Sequence, residues 1–180
     1  MRRIVAGLFV SLDGVVEAPE TWHFPYLNDE MDQAVTAQMA ASDALLLGRR
    51  TYEIFAAHWP HQDAADPLAA TLNAVPKYVL STTLTAPTWQ HTTVLAGDPR
   101  QELTRLKQQP GKDIGVSGSP SLVSWLLREG LLDELNLLVD PVMLGSGRRL
   151  FEDDAGPIPM TLTDSATFST GVLNLTYTRA

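Results

Sequence analysis

The chain has 180 residues, no cysteine and a formal net charge of −8, with 44% hydrophobic and 19% charged residues. That is a globular balance, and the length suits one domain over residues 1–180 that buries about 70% of its unfolded surface without staples. The missing cysteine excludes disulfides, Cys-ligated zinc and thiol catalysis and suits a reducing cytoplasm, while the acidic balance argues against nucleic acid or an anionic membrane as partner.

In chain order, Arg3–Val10 reads as a β-rich opening strand, followed by an irregular loop from Ser11 to Asn28 that holds Asp13-Gly14. Ser11 and Asp13 interrupt any leader-like apolar run, and no stretch approaches the roughly 20 apolar residues that span a bilayer. Asn28 is placed to cap a helix whose first turn carries Asp29 and Glu30 and whose Met31, Val35 and Met39 recur at core-facing spacing. Ala44–Leu47 reads as a buried strand ending at Gly48. Helices are expected over Thr51–Trp59 and Pro67–Ala74, with the polar, Ala-rich stretch Ala56–Asp66 as the most variable surface. Lys77–Ser81 and Thr92–Leu95 read as strands. Asp98 caps a helix through Leu103 and Leu106 that stops at Pro110-Gly111. Ile114–Ser117 and Leu135–Val139 are further strands, and Thr161–Ser165 with Val172–Thr178 form a terminal hairpin-like pair. Alternating strands and helices predict an α/β domain: a mostly parallel central sheet, helices on both faces, and an antiparallel C-terminal edge.

The stretch from Ile114 to Leu122 carries the strongest chemical signal. A β-branched strand breaks through Gly118, Ser119, Pro120 and Ser121 into an apolar helix pattern at Leu122, Val123, Trp125, Leu126 and Leu127. Such a turn aims free backbone N–H groups and the positive end of a helix dipole at one point, and Gly118 lets a phosphate approach without a Cβ in the way. An ordinary tight strand–helix turn reads the same way. Gly115-Val116-Ser117-Gly118-Ser119 also nearly spells a hydrolase nucleophile elbow. Its fifth position is Ser119 rather than Gly, and His23, His58, His61 and His91 all precede Ser117, so a Ser-His-Asp hydrolase is not expected.

Gly48-Arg49-Arg50-Thr51-Tyr52-Glu53 after a buried strand, Trp22-His23-Phe24-Pro25 before the first helix, Tyr78-Val79-Leu80-Ser81 and Val116-Ser117-Gly118-Ser119 together resemble the dihydrofolate reductase-like family. Gly130-Leu131-Leu132-Asp133-Glu134-Leu135, Pro141-Val142-Met143-Leu144-Gly145-Ser146-Gly147 and Leu150-Phe151 are similar to the subgroup containing the reductase domain of the bifunctional riboflavin-biosynthesis deaminase-reductase. With Ser11-Leu12-Asp13-Gly14, the resemblance covers nearly the whole chain. It implies a three-layer reductase domain that binds NADPH and passes hydride to a small heterocyclic substrate, pterin-like, pyrimidine-like or close to a riboflavin precursor. A conventional deaminase half is excluded, because its zinc signature needs cysteines.

The same resemblance implies the site. Gly48, Arg49, Arg50 and Thr51 would hold the adenosine 2′-phosphate, where planar guanidinium forks suit a phosphate. Ser81 and Thr82 would complete that pocket, although relatives often carry a basic residue at Thr82. Val116 and Gly118–Leu122 (Gly118, Ser119, Pro120, Ser121, Leu122) would take the pyrophosphate, and Ser11 to Gly14 would lie by the nicotinamide. Asp32, 48 − 32 = 16 residues before the strand-end glycine, is the first candidate for proton handling and Asp13 the second. Asp29 and Glu30 compete with Asp32, and all three also suit the helix dipole. Asp13 also suits a turn with Gly14. Trp22 would wall the substrate pocket or cover core. His23, His58 and His61 do not make a firm metal set. The resemblance further implies a homodimer, and the apolar run Leu131–Leu144 reads as a sheet edge seeking a partner. A nucleotide-binding module without turnover, acting as sensor or interaction protein, is the alternative reading.

Overall fold

The computed structural model describes residues 1–151 and 156–180. Eight strands form one sheet: β1 (Ile4–Ser11), β2 (Ser42–Gly48), β3 (Lys77–Leu80), β4 (Thr92–Leu95), β5 (Asp113–Ser117), β6 (Glu134–Asp140), β7 (Met160–Thr167) and β8 (Leu173–Arg179). Their spatial order is β4-β3-β2-β5-β1-β6-β8-β7. The first six are mutually parallel; β8 runs antiparallel to β6, and β7 antiparallel to β8. The helices are α1 (Asp29–Ala41), α2 (Arg49–His58), α3 (Pro67–Ala74), α4 (Pro99–Gln108) and α5 (Pro120–Arg128).

Strand alternation sorts the core into layers. Ile4, Ala6, Leu8 and Val10 of β1, with Leu46 of β2, pack against Leu103 and Leu106 of α4 and Leu122, Val123, Leu126 and Leu127 of α5. On the opposite face Phe9 and Leu138 meet Met31 of α1, while Leu45, Leu47 and Val79 meet Tyr52 of α2 and Leu72 of α3. This is the predicted three-layer architecture with an antiparallel edge.

Local chemistry explains the boundaries. The Asn28 side chain accepts the Met31 N–H at 3.0 Å and Asp98 accepts the Gln101 N–H at 2.9 Å, each capping its helix start. Two expectations change. Helix α2 begins at Arg49 rather than Thr51, because the chain turns directly from Gly48 into helical conformation, so both arginines sit inside the first helical turn. Strand β6 is not an edge: it lies between β1 and β8, and Leu131, Leu132, Leu135 and Leu138 are buried. An apolar run covered on both flanks and one awaiting a partner look alike in sequence. Helix α2 ends at His58, close to the expected end, and a 3-10 turn spans Trp59–His61, held by Asn73 Nδ2 donating to the Trp59 carbonyl at 2.9 Å.

Candidate cofactor and active site

Two turns meet at the C-terminal edge of neighbouring strands. β2 and β5 pair in parallel, Ala44 with Ile114 and Leu45 with Gly115, so the turns that follow them stand side by side. Such a crevice outside the carboxyl ends of parallel strands is where open α/β sheets bind ligands. After β5 the backbone takes two successive left-handed residues, Gly118 (φ +65°) and Ser119 (φ +57°), before α5 opens on Pro120. A side chain at Gly118 would come within 3.3 Å of Thr51 Cγ2 and would sit at positive φ, so glycine eases the close approach of the two turns. Ser119 is buried in an uncommon conformation for a non-glycine residue, and its Oγ accepts the Gly48 N–H at 2.9 Å. Ser119→Ala removes that bond and strands a partly buried N–H. The expected cost is about 1–3 kcal/mol, read as a lower urea midpoint with an unchanged slope.

Between the turns lies a cleft of about 400 Å³. The structure brings together in its walls Gly48, Arg49, Arg50, Thr51, Ser119, Pro120, Ser121 and Leu122, all anticipated from sequence. It adds Leu80, Pro99, Trp125 and Arg148, which sequence reasoning missed. Trp125 lies less than one helical turn beyond Leu122, a spacing that could have flagged it; Arg148 arrives from a remote loop and carries no such signal. Of the other anticipated residues, Val116 is buried in the core, Thr82 is exposed, and Ser81 Oγ accepts the Thr83 and Leu84 N–H groups at 3.2 and 3.0 Å, so Ser81 shapes the turn after β3.

Electrostatically the cleft is a positive spot on an acidic protein. The first turn of α2 carries Arg49 and Arg50 and no acid, and Gly48 supplies no side-chain cap. Cations there oppose the helix dipole, an arrangement an anion relieves. Arg49 Nη1 bonds Glu53 Oε1 at 2.7 Å, and Arg148 Nη2 donates to Ser121 Oγ at 2.7 Å. Arg50 has no ion pair among the described residues. The first amides of α5, at Ser121 and Leu122, have no carbonyl partner within the helix. Guanidinium forks, hydroxyls and a cradle without a Cβ fit a phosphorylated dinucleotide.

The Ser11–Gly14 loop is laced to the segment that carries Arg148. Leu12 donates its N–H to the Val142 carbonyl and Val16 to that of Arg148. Asp13 takes the Ser11 hydroxyl at 2.6 Å and the Leu144 and Gly145 N–H groups at 3.1 and 2.8 Å. The Ser11 hydroxyl first, then those two amides, hold the Asp13 carboxyl down at about 2. It is ionised at neutral pH and acts as a staple. Because its folded value lies below the ordinary 3.8, its contribution is full above that value and is lost as pH falls through about 2. Asp13→Asn therefore lowers the melting temperature at neutral pH, and the gap to wild type closes as both are melted toward about pH 2.

On the α1 face, Asp32, Asp29 and Glu30 are exposed in the first helical turn, and Glu30 accepts the Ser169 N–H and hydroxyl at 2.7 and 2.6 Å. Trp22 is buried, its Nε1 donating to the Glu17 carbonyl at 2.9 Å. Sequence reasoning missed Asp140, which is 0% exposed at the end of β6. An acid directly before Pro141, closing an apolar strand, is the signal that could have found it.

The chain resembles several known proteins. The family model described as the RibD C-terminal domain matches residues 2–174. The uncharacterised Bacillus subtilis protein YyaP is 31% identical over 98% of this chain and 94% of its own. The fold is shared with a putative riboflavin biosynthesis protein from Shewanella sp. PV-4, at TM-score 0.81, 21% identity and 99% coverage of both chains. It is also shared with the dihydrofolate reductase of Enterococcus faecalis complexed with NADP(H), at TM-score 0.65 and 13% identity, covering 98% of this chain and 96% of that one. With the family model spanning nearly its whole length, the chain belongs to the RibD C-terminal domain family.

Proposed function

We propose that the protein is an NADPH-dependent reductase of a small nitrogen heterocycle, pterin-like, pyrimidine-like or similar to a riboflavin precursor. The observation that carries this reading is the pair of interlocked turns, with Arg49, Arg50, Thr51 and Arg148 around a cleft that the left-handed Ser119 and the start of α5 also line. Family membership and the shared fold with a dihydrofolate reductase complexed with NADP(H) support it. Arg50, Arg49 and Thr51 would hold the 2′-phosphate, with Ser81 and Thr82 at its border. The Ser121 and Leu122 amides with Arg148 would hold the pyrophosphate, and the stapled Ser11–Gly14 loop would border the nicotinamide. The bound cofactor supplies the hydride. The chain supplies orientation, water exclusion and a proton.

Asp13 serves that scheme by fixing the loop, and Asp32, exposed in the first turn of α1, is proposed as a point of proton exchange with water. Trp22 is proposed to back the substrate side as buried support. The test is NADPH consumption, followed by absorbance, with a panel of oxidised pterins, pyrimidines and ribosylaminopyrimidines. Turnover of one of them supports the reading. NADPH binding with no turnover on any supports a nucleotide-binding module instead. The homodimer is proposed through the exposed edge strand β7, every residue of which from Thr161 to Thr167 faces solvent. Light scattering at tens of micromolar should give twice the chain mass, and a monomer overturns it.

A further inference from the structure

The sheet carries a polar row where parallel strands covered on both faces are normally apolar. In register across four neighbouring strands stand Ser117 of β5, Gly7 of β1, Asn136 of β6 and Thr176 of β8. The row lies on the α1 side, because Phe9 and Leu138, two residues along on the same face, pack with Met31 of that helix. Over Gly7 lies the side-chain amide of Gln38. A Cβ at Gly7 would stand 2.7 Å from Gln38 Cδ, so the glycine makes room for that amide on the sheet.

Two groups at this spot are open. The Asn136 amide is engaged, donating to Glu134 Oε1 at 3.1 Å and accepting the Thr176 hydroxyl at 2.7 Å. The Gln38 amide makes no hydrogen bond among the described residues, and neither its oxygen nor its nitrogen is sealed from solvent. Ser117 has no side-chain partner among them either, and it is exposed although β5 lies inside the sheet between β2 and β1. An exposed residue on an interior strand means that the helices leave the sheet uncovered there. Gly118 of the cofactor turn follows directly, so this uncovered floor adjoins the cleft.

We propose that Gln38, with the Ser117 hydroxyl beside the same glycine, is the specificity-determining residue of this enzyme: its amide reads a lactam edge, an adjacent ring C=O and N–H, of a planar heterocycle lying against the Gly7–Ser117 floor. This rests on the reductase reading above. A primary amide offers a donor and an acceptor side by side in one plane, the complement of a lactam edge, whereas a carboxylate only accepts and an ammonium only donates. Helix α1 carries Asp29, Glu30 and Asp32 and no Lys or Arg, so the edge it reads is neutral rather than anionic. Gln38 moves no proton. It fixes which edge of the ring faces the helix, and hence which atoms are left to face the cofactor.

The test is calorimetric titration of the whole protein, with and without saturating NADPH, using two probes: lumazine, which presents lactam edges, and 1,3-dimethyllumazine, whose ring N–H groups are methylated. Wild type should prefer lumazine by at least about 10-fold, since a site built to hydrogen-bond a group rejects the analogue that lacks it. Gln38→Met, similar in length and unable to form either bond, should lower lumazine affinity by at least about 5-fold and bring the two probes within about threefold of each other. NADPH affinity should stay within about twofold of wild type, which shows that the variant is folded. Gln38→Glu, which keeps an acceptor and loses the donor, should also bind lumazine more weakly than wild type. A wild type that binds NADPH but does not bind or prefer lumazine overturns the proposal, and so do Gln38 variants that keep the wild-type affinity and preference. Gln38-dependent lumazine binding by a protein that does not bind NADPH overturns the cofactor reading and leaves the assignment of Gln38 standing.

Discussion

Leu46→Ala lowers the stability of the domain by about 2–5 kcal/mol, the range for truncating a buried leucine and leaving part of the cavity open. Leu46 is 0% exposed and belongs to the cluster that joins β1, β2 and β5 to α4 and α5. It stands two residues before Gly48, so the cavity opens beneath the turn from β2 into α2. For a domain of this size each kcal/mol shifts the melting temperature by roughly 2–4 °C, which predicts a drop of about 4–20 °C. NADPH at about 100 times its dissociation constant should return about 2.7 kcal/mol, because a ligand that binds only the folded state stabilises it by mass action. Thermal melts with and without NADPH check both halves. A drop under about 2 °C contradicts the packing account, and a drop that NADPH does not reverse contradicts the cofactor site.

Arg50→Ala weakens NADPH binding by about 10- to 150-fold, the equivalent of roughly 1.5–3 kcal/mol for a lost charge-assisted hydrogen bond. NADH, which lacks the 2′-phosphate, should lose less than about threefold, within the reach of long-range charge alone. The effect should exceed that of Arg49→Ala, because Arg49 shares its guanidinium with Glu53 while Arg50 has no such partner among the described residues. Parallel titrations of wild type and both variants with the two dinucleotides decide it. Equal losses for NADPH and NADH would place Arg50 outside the phosphate pocket.

Much of this was legible from local chemistry. The strand–turn–helix pattern at Ile114 to Leu122, the Asn28 and Asp98 caps and the strand-end Gly48 each depend on residues within a few positions, where periodicity and backbone preference operate. What was not legible depends on distant partners. Ser119 reads as an ordinary turn residue until its hydroxyl meets the N–H of Gly48, 71 residues away. Asp13 reads as a proton-handling acid or a turn residue until Leu144 and Gly145, more than 130 residues on, supply its amides. The run from Leu131 to Leu144 suggested an edge because sequence cannot show that β8 returns to cover β6. Arg148 reaches the cleft from a loop whose glycines fix its path, and no periodic pattern announces it.

The most direct measurement is a crystal structure of the protein with NADPH bound. The account predicts the 2′-phosphate within hydrogen-bond reach of Arg50 and Thr51, the pyrophosphate on the Ser121 and Leu122 amides, and the nicotinamide ring against Ser11–Gly14. A dinucleotide bound elsewhere, or lying in this cleft with its nicotinamide end at Arg50, would contradict it.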